Sequence, residues 1–280
     1  MKHWKISDYI EVVLGNRRKL QRIFFALSLV SLAINFYIGT SVTQIGANPL
    51  LNQDLDPVYW IFMRLHLPGF ISERFALWFD GLLVTFCIAS MLWTRYRIFP
   101  IIFFVFHFLY FLEYNILSGH HYISIGLLVM SFPFIFSNNS RFTSMFILCR
   151  FIFCFMMFSA AFWKIARGNV YYVDQANMLL ITTHINALVT GENNLLMKTI
   201  KWLLLHKSIS HLLWIILIAL ESVFVVGFFT FRLDKVLLLA YLLFFVGGWV
   251  FFNIYNYDNL LFLLTLVPVL KLLEIRKYRF

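Results

Sequence analysis

Eight stretches of this chain are apolar over close to the ~20 residues that an α-helix needs to cross about 30 Å of hydrocarbon. They run from Ile23 to Val42, Phe75 to Thr94, Ile98 to Leu117, His121 to Ser137, Thr143 to Ile165, Ser208 to Phe231, Lys235 to Phe251 and Asp258 to Leu272. In lipid the backbone must satisfy its own hydrogen bonds, and a helix does so within one segment. The runs therefore predict an all-α fold, a polytopic bundle of about eight transmembrane helices. Residues 1–22 form a cytoplasmic N-terminal segment, 23–272 a single transmembrane domain, and 273–280 a cytoplasmic tail. A soluble domain is excluded by composition. Of 280 residues 61% are hydrophobic, only 13% are charged and 34 are Phe, and mean hydropathy is +0.81. One core of this size cannot bury that much apolar surface. Disordered and collagen-like chains are excluded on the same ground.

The net charge of +10 does not imply nucleic acid, because a nucleic-acid binder gathers its Lys and Arg on one polar face. Here they stand at the ends of apolar runs, where membrane proteins hold loops on the cytoplasmic side. Arg17, Arg18, Lys19 and Arg22 precede the first run. Arg95, Arg97, Arg141, Arg232, Lys235 and the cluster Lys271, Arg276, Lys277, Arg279 fall on the same side if there are eight crossings. Both termini are then cytoplasmic, in the inner membrane if the chain is prokaryotic. Lys198, Lys201 and Lys207 disagree, since eight crossings place them outside. The first run is longer than a signal-peptide core and no small-residue cleavage site follows it, so it is expected to remain. The Asn138–Ser140 sequon then faces the cytoplasm as a chance match. Cys87, Cys149 and Cys154 lie inside apolar runs without metal-ligand spacing and read as packing residues; no metal is expected.

Two connections, 43–74 and 166–207, are too long for turns. The first surrounds Tyr59, Trp60, Ile61 and Phe62 with prolines, which suggests a short interfacial helix. The second holds Ala176 to Val189, too short to span and suited to the interface or to re-entry. Both face outside, so binding or chemistry is expected to open there. Partners are expected to be the bilayer and one or more proteins on that external face.

A charge at the centre of a bilayer helix costs about 2.5–3.5 kcal/mol and usually faces the bundle interior. Asp80, His107, Glu113, Lys164 and Glu221 are such groups, with His120 and His121 at the entrance to the fourth run. Bland roles exist for most of them. Glu113 and Lys164 suit a structural ion pair, Asp80 sits where water or backbone donors reach it, and His107 suits aromatic packing. Lys164 could also snorkel outward. Adjacent His120 and His121 point about 100° apart on a helix, poor geometry for one metal. Glu221 alone has no local partner. An amine in apolar surroundings gives up its proton more readily than one in water. The functional alternative is therefore a base, Lys164, a donor, His121, and an acid, Glu221, converging in a cavity near the external face.

These same residues resemble motifs of the membrane domain of the vitamin K-dependent gamma-carboxylase-like, or horizontally transferred transmembrane, family. His121 followed by Tyr122, Ile123, Ser124, Ile125 and Gly126 looks like its histidine with a glycine five positions on. Arg150 through Phe158, then Ser159, Ala160, Ala161, Phe162, Trp163, Lys164 and Ile165, looks like its helix ending in small residues and a catalytic lysine. Glu221 before Val225, Val226, Gly227 and Phe228 is similar to an acid-bearing helix of the family. The likeness covers roughly Ile23 to Pro268, and the motifs keep the family's order. In the carboxylase, the resemblance implies, the lysine deprotonates reduced vitamin K, whose oxygenation creates the base that removes a glutamate γ-proton before carbon dioxide adds. Lys164 matches that lysine. Asn253, however, stands where the resemblance implies a histidine, and asparagine cannot exchange a proton near neutral pH. The chain also ends at Phe280, eight residues past the last run, without the luminal domain that holds the peptide substrate. The resemblance thus implies the fold more than the reaction.

Two functional classes follow. The first is a non-catalytic membrane subunit or scaffold that holds partner proteins through the two long connections. The second is a membrane enzyme using Lys164 on a quinone, another lipid, or a peptide supplied by a partner. A transporter is a weaker third, since internal repeats and Gly/Pro-broken helix pairs are not evident.

Overall fold

The structure, a computed structural model, describes residues 6–47, 64–65, 71, 73–118, 125–252, 257–267 and 269–271. Every regular element among them is helical, as the apolar runs require. Five helical stretches are long and apolar enough to cross a membrane: Arg17–Ile45, Arg74–Leu92, Asn139–Ala166, Lys207–Phe228 and Asp234–Phe252. Among the described residues two further apolar helical stretches run over Ile98–Tyr114 and Ile125–Ile135. Between 22% and 39% of the most apolar window of each long stretch is buried inside the protein. The remaining apolar surface points outward, which together with these lengths suggests an integral membrane protein.

The chain divides into two compact units. One comprises the described residues among 6–149 with 257–265 and 269–271. Its helices are α1 (Ile6–Gly15), α2 (Arg17–Tyr37), α3 (Val42–Ala47), α4 (Glu73–Leu92), α5 (Ile98–Ser118) and α6 (Ile125–Ser131), which continues as a 3-10 helix over Phe132–Ile135. A second 3-10 helix covers Tyr257–Thr265 and packs on α6 and α2. The core is aromatic: Phe24, Phe25, Phe103, Phe134 and Phe142 are all at most 2% exposed, with neighbouring ring centroids 4.9–5.8 Å apart. Each such ring pair adds about 0.5–1.5 kcal/mol beyond area burial.

The helix α2 starts at Arg17, ahead of the apolar run at Ile23, because its basic turn makes tertiary contacts. Arg17 donates to the carbonyls of Ser137 (3.0 Å) and Phe136 and to Oδ1 of Asn139 (2.8 Å). Arg97, in the turn between α4 and α5, donates to Oγ of Ser137 at 2.9 Å. Three chain turns therefore meet at one end of this unit, so α2 and α4 form one out-and-back pair and α5 with α6 another. Elsewhere in the unit Asp80 accepts from Val42 N (3.2 Å), Thr43 N (2.9 Å) and Thr43 Oγ1 (2.7 Å), which caps α3. Backbone donors are thus what reach Asp80. The interfacial helix expected around Tyr59–Phe62 lies outside the described residues.

The other unit comprises the described residues 150–252 and 266–267. It holds α7 (Asn139–Ala166) from Arg150 onward, α8 (Gln175–Val189), α9 (Leu195–Leu205), α10 (Lys207–Ser222) with a 3-10 extension over Val223–Phe228, and α11 (Asp234–Phe252). The long connection after α7 is mostly helix. The apolar stretch Ala176 to Val189 forms α8, and α9 is a further helix beyond those expected from the apolar runs. That helix starts where the Asn194 side chain accepts from Met197 N at 2.8 Å, a standard N-cap. It buries Met197, Ile200 and Leu203 against Leu180 and leaves Lys198, Lys201 and Trp202 exposed.

Candidate functional site

The helix α7 carries Lys164 in its last turn, and Gly168 at φ +74° then reverses the chain. The turn places the Asn169 carbonyl where it accepts from Trp214 Nε1 on α10 at 3.3 Å. Trp214 is thereby held under Lys164, whose Nζ lies 5.2 Å from the indole centroid and 5.9 Å from that of Phe244 on α11. Glu221 ends the same face of α10. Lys164 Nζ donates to both its oxygens, at 2.6 and 2.7 Å. The Glu221 side chain is 2% exposed and that of Lys164 26%, so the carboxylate is sealed while the amine keeps one open side. Two aromatic faces and a carboxylate thus surround the amine.

Of the three expected site residues, Lys164 and Glu221 are together. His121 lies outside the described residues, as does Asn253. Glu221 takes the place at Lys164 that had been open to Glu113; Glu113 is buried on α5, in the other unit. His107 is fully buried between Phe103 and Tyr110, ring centroids 5.7 and 5.5 Å away, and both its nitrogens are without a hydrogen-bond partner. The three cysteines are buried and free.

A second ion pair was missed. Arg150, 0% exposed, donates from Nη1 to Asp234 Oδ2 at 2.9 Å, and its Nη2 lies 2.8 Å from Oδ1. Nη2 also donates to the carbonyls of Gly227 and Thr230, both at 3.1 Å, and the guanidinium lies 4.5 Å from the Phe231 ring centroid. Asp234 Oδ2 accepts a further bond from Val267 N at 2.8 Å. Gly227 is needed here: a Cβ would collide with Cys154 Sγ on α7, so only glycine lets this segment lie close enough to offer its carbonyl. The 3-10 form of Val223–Phe228 helps as well, because a rise of about 2.0 Å per residue instead of 1.5 Å stretches the chain toward Arg150. Asp234 stands between Arg232 and Lys235 and is not an isolated charge in the sequence. The available signal was Arg150 itself, a charge deep in an apolar run that demands a counter-ion.

Lys164 and Arg150 are 14 residues apart on α7 (164 − 150), about 21 Å along the axis. Two salt bridges therefore fasten α7 to α10 and α11 at levels separated by most of a bilayer's hydrocarbon thickness. Comparisons of the chain with protein-family models, with curated proteins and with solved structures find no match.

Proposed function

We propose that this chain is a membrane-embedded scaffold subunit of the carboxylase-like, horizontally transferred transmembrane fold. In this reading it crosses the membrane eight times, keeps both termini in the cytoplasm and works with partner proteins on the external face. One observation carries it. The Lys164 amine is clasped by both oxygens of a sealed carboxylate and by two aromatic faces, contacts that engage the nitrogen within the protein instead of leaving it free for a substrate. The pair is then a fastening between α7 and α10. The turn after α7 presents Tyr171 and Tyr172, 82% and 63% exposed, amphipathic anchors of the kind that partner surfaces and membrane interfaces use.

The second reading, an enzyme acting on a quinone or other lipid, is favoured by the open side of Lys164, 26% exposed. Lys164→Met with Glu221→Leu separates the two. Removing one partner of a buried pair costs about 3–5 kcal/mol, whereas replacing both with apolar groups is often neutral. The expected result is a double variant that folds, complements a deletion strain and yields the same in-cell cross-links as the parent. A double variant that folds and cross-links normally but fails to complement would overturn the scaffold reading.

A further inference from the structure

A cavity of about 230 Å³ lies between α8, α9, α10 and α11. Ser210, Leu213 and Leu220 line it along α10, and Leu243, Gly247 and Phe251 along α11. Leu213 and Leu243 are 36% and 53% exposed, so it opens between two helices that are long and apolar enough to cross the membrane. Its volume is below the roughly 300–1,000 Å³ of sites for drug-sized ligands, and apart from Ser210 its lining is hydrocarbon and aromatic. It is long rather than wide. Ser210 to Leu220 is ten residues (220 − 210), about 15 Å of helix, which is one leaflet of a core about 30 Å thick.

The two ends differ. At Leu220 the lining is apolar. At the other end the Ser210 hydroxyl donates to Asn177 Oδ1 at 2.6 Å, and Lys207 stands one turn earlier on α10. Its Nζ is 2.8 Å from Asp174, with both side chains more than 60% exposed; such a pair holds its lysine weakly. The helix α9, whose Leu203 closes the cavity, turns Lys198 and Lys201 outward beside Trp202, which stacks on His206 at 4.5 Å. Lys207 one turn from Ser210, with two lysines and a tryptophan on the exposed face of the adjoining α9, is the chemistry of an anionic headgroup region. These are the lysines that the charge rule for loops leaves unexplained.

We propose that this cavity seats one acyl chain of an anionic phospholipid, whose phosphate is held by Lys207 with Lys198 and Lys201 beside it. The lysines at this end serve a lipid rather than orientation.

The test uses the full chain in phosphatidylcholine nanodiscs containing a trace of phosphatidylglycerol or phosphatidylcholine with a photoactivatable diazirine on one tail. Cross-linked peptides are mapped by mass spectrometry. The phosphatidylglycerol probe is expected to label α10 and α11 peptides about fivefold above those of Arg74–Leu92, and about fivefold above the phosphatidylcholine probe. Gly247→Leu, which fills the slot, should remove that excess. Gly247→Ala should keep it, since a Cβ there makes only ordinary contact, 3.5 Å from Leu217 Cδ2. Replacing Lys198, Lys201 and Lys207 with Gln should abolish the preference for phosphatidylglycerol and leave phosphatidylcholine labelling unchanged. If Gly247→Leu does not fold, Leu213→Phe at the rim is read in its place. Uniform labelling of all lipid-facing helices, equal labelling by the two probes, or undiminished labelling of the filled slot would each overturn the proposal.

Discussion

Arg150→Met should be among the most damaging single changes in the chain. Methionine approximates the aliphatic stem of arginine and removes the charge. What remains is Asp234, 1% exposed, with Val267 N at 2.8 Å as its remaining hydrogen-bond donor. Breaking one side of a buried pair costs about 3–5 kcal/mol. The Gly227 and Thr230 carbonyls, each 3.1 Å from the lost Nη2, add about 1–3 kcal/mol apiece if water cannot reach them. A loss of about 4 kcal/mol or more is expected, a large part of the ~5–15 kcal/mol that keeps a domain folded. Adding Asp234→Leu should recover most of it, because no uncompensated carboxylate is left, giving a coupling of about 3 kcal/mol between the sites. Reversible unfolding of the detergent-solubilised protein, followed by tryptophan fluorescence, measures both values. A single variant that loses less than about 1 kcal/mol, or a double variant no more stable than the single, would refute the reasoning.

Gly126→Ala should destabilise by at least the ~1–3 kcal/mol of an overpacked core, since its Cβ would collide with the backbone of Asp258 and Asn259; the thermal midpoint of the purified protein reads it. Gly227→Ala should be similarly harmful through Cys154 Sγ, and Cys154→Ala in the same chain should restore the midpoint, which a backbone-strain mechanism would not allow. Asp80→Ala should cost about 0.5–2 kcal/mol by uncapping α3, and should raise proteolysis in that segment without disturbing the Lys164 pair.

The parts legible in sequence were those set by one-dimensional pattern. Apolar runs located the long helices, because any such run in lipid must satisfy its backbone by itself. Lys164 and Glu221 stood out because an isolated charge in a run has few explanations. Asp234 did not stand out because Arg232 and Lys235 flank it in the chain, and Arg150 because it was read as one letter of a motif. The helix α9 is short and amphipathic, with lysines on one face and Met197, Ile200 and Leu203 on the other, so it resembled a polar connection. The 3-10 helix over Val223–Phe228 ends where Arg150 bonds the Gly227 and Thr230 carbonyls, a contact between residues about 80 apart in the chain. Gly126 against Asp258 joins residues 132 apart in the chain, beyond any periodicity.

The two salt bridges on α7 also carry a schedule. Both cations are made first: Glu221 follows Lys164 by 57 residues, and Asp234 follows Arg150 by 84. At about 5–20 residues per second of synthesis, the partners arrive roughly 3 to 17 s later. During that interval α7 carries two cations at well-separated levels, each without its counter-ion. Both fastenings of α7 therefore close only after α10 and the start of α11 have been made, so the bundle on this side locks from its C-terminal helices backward.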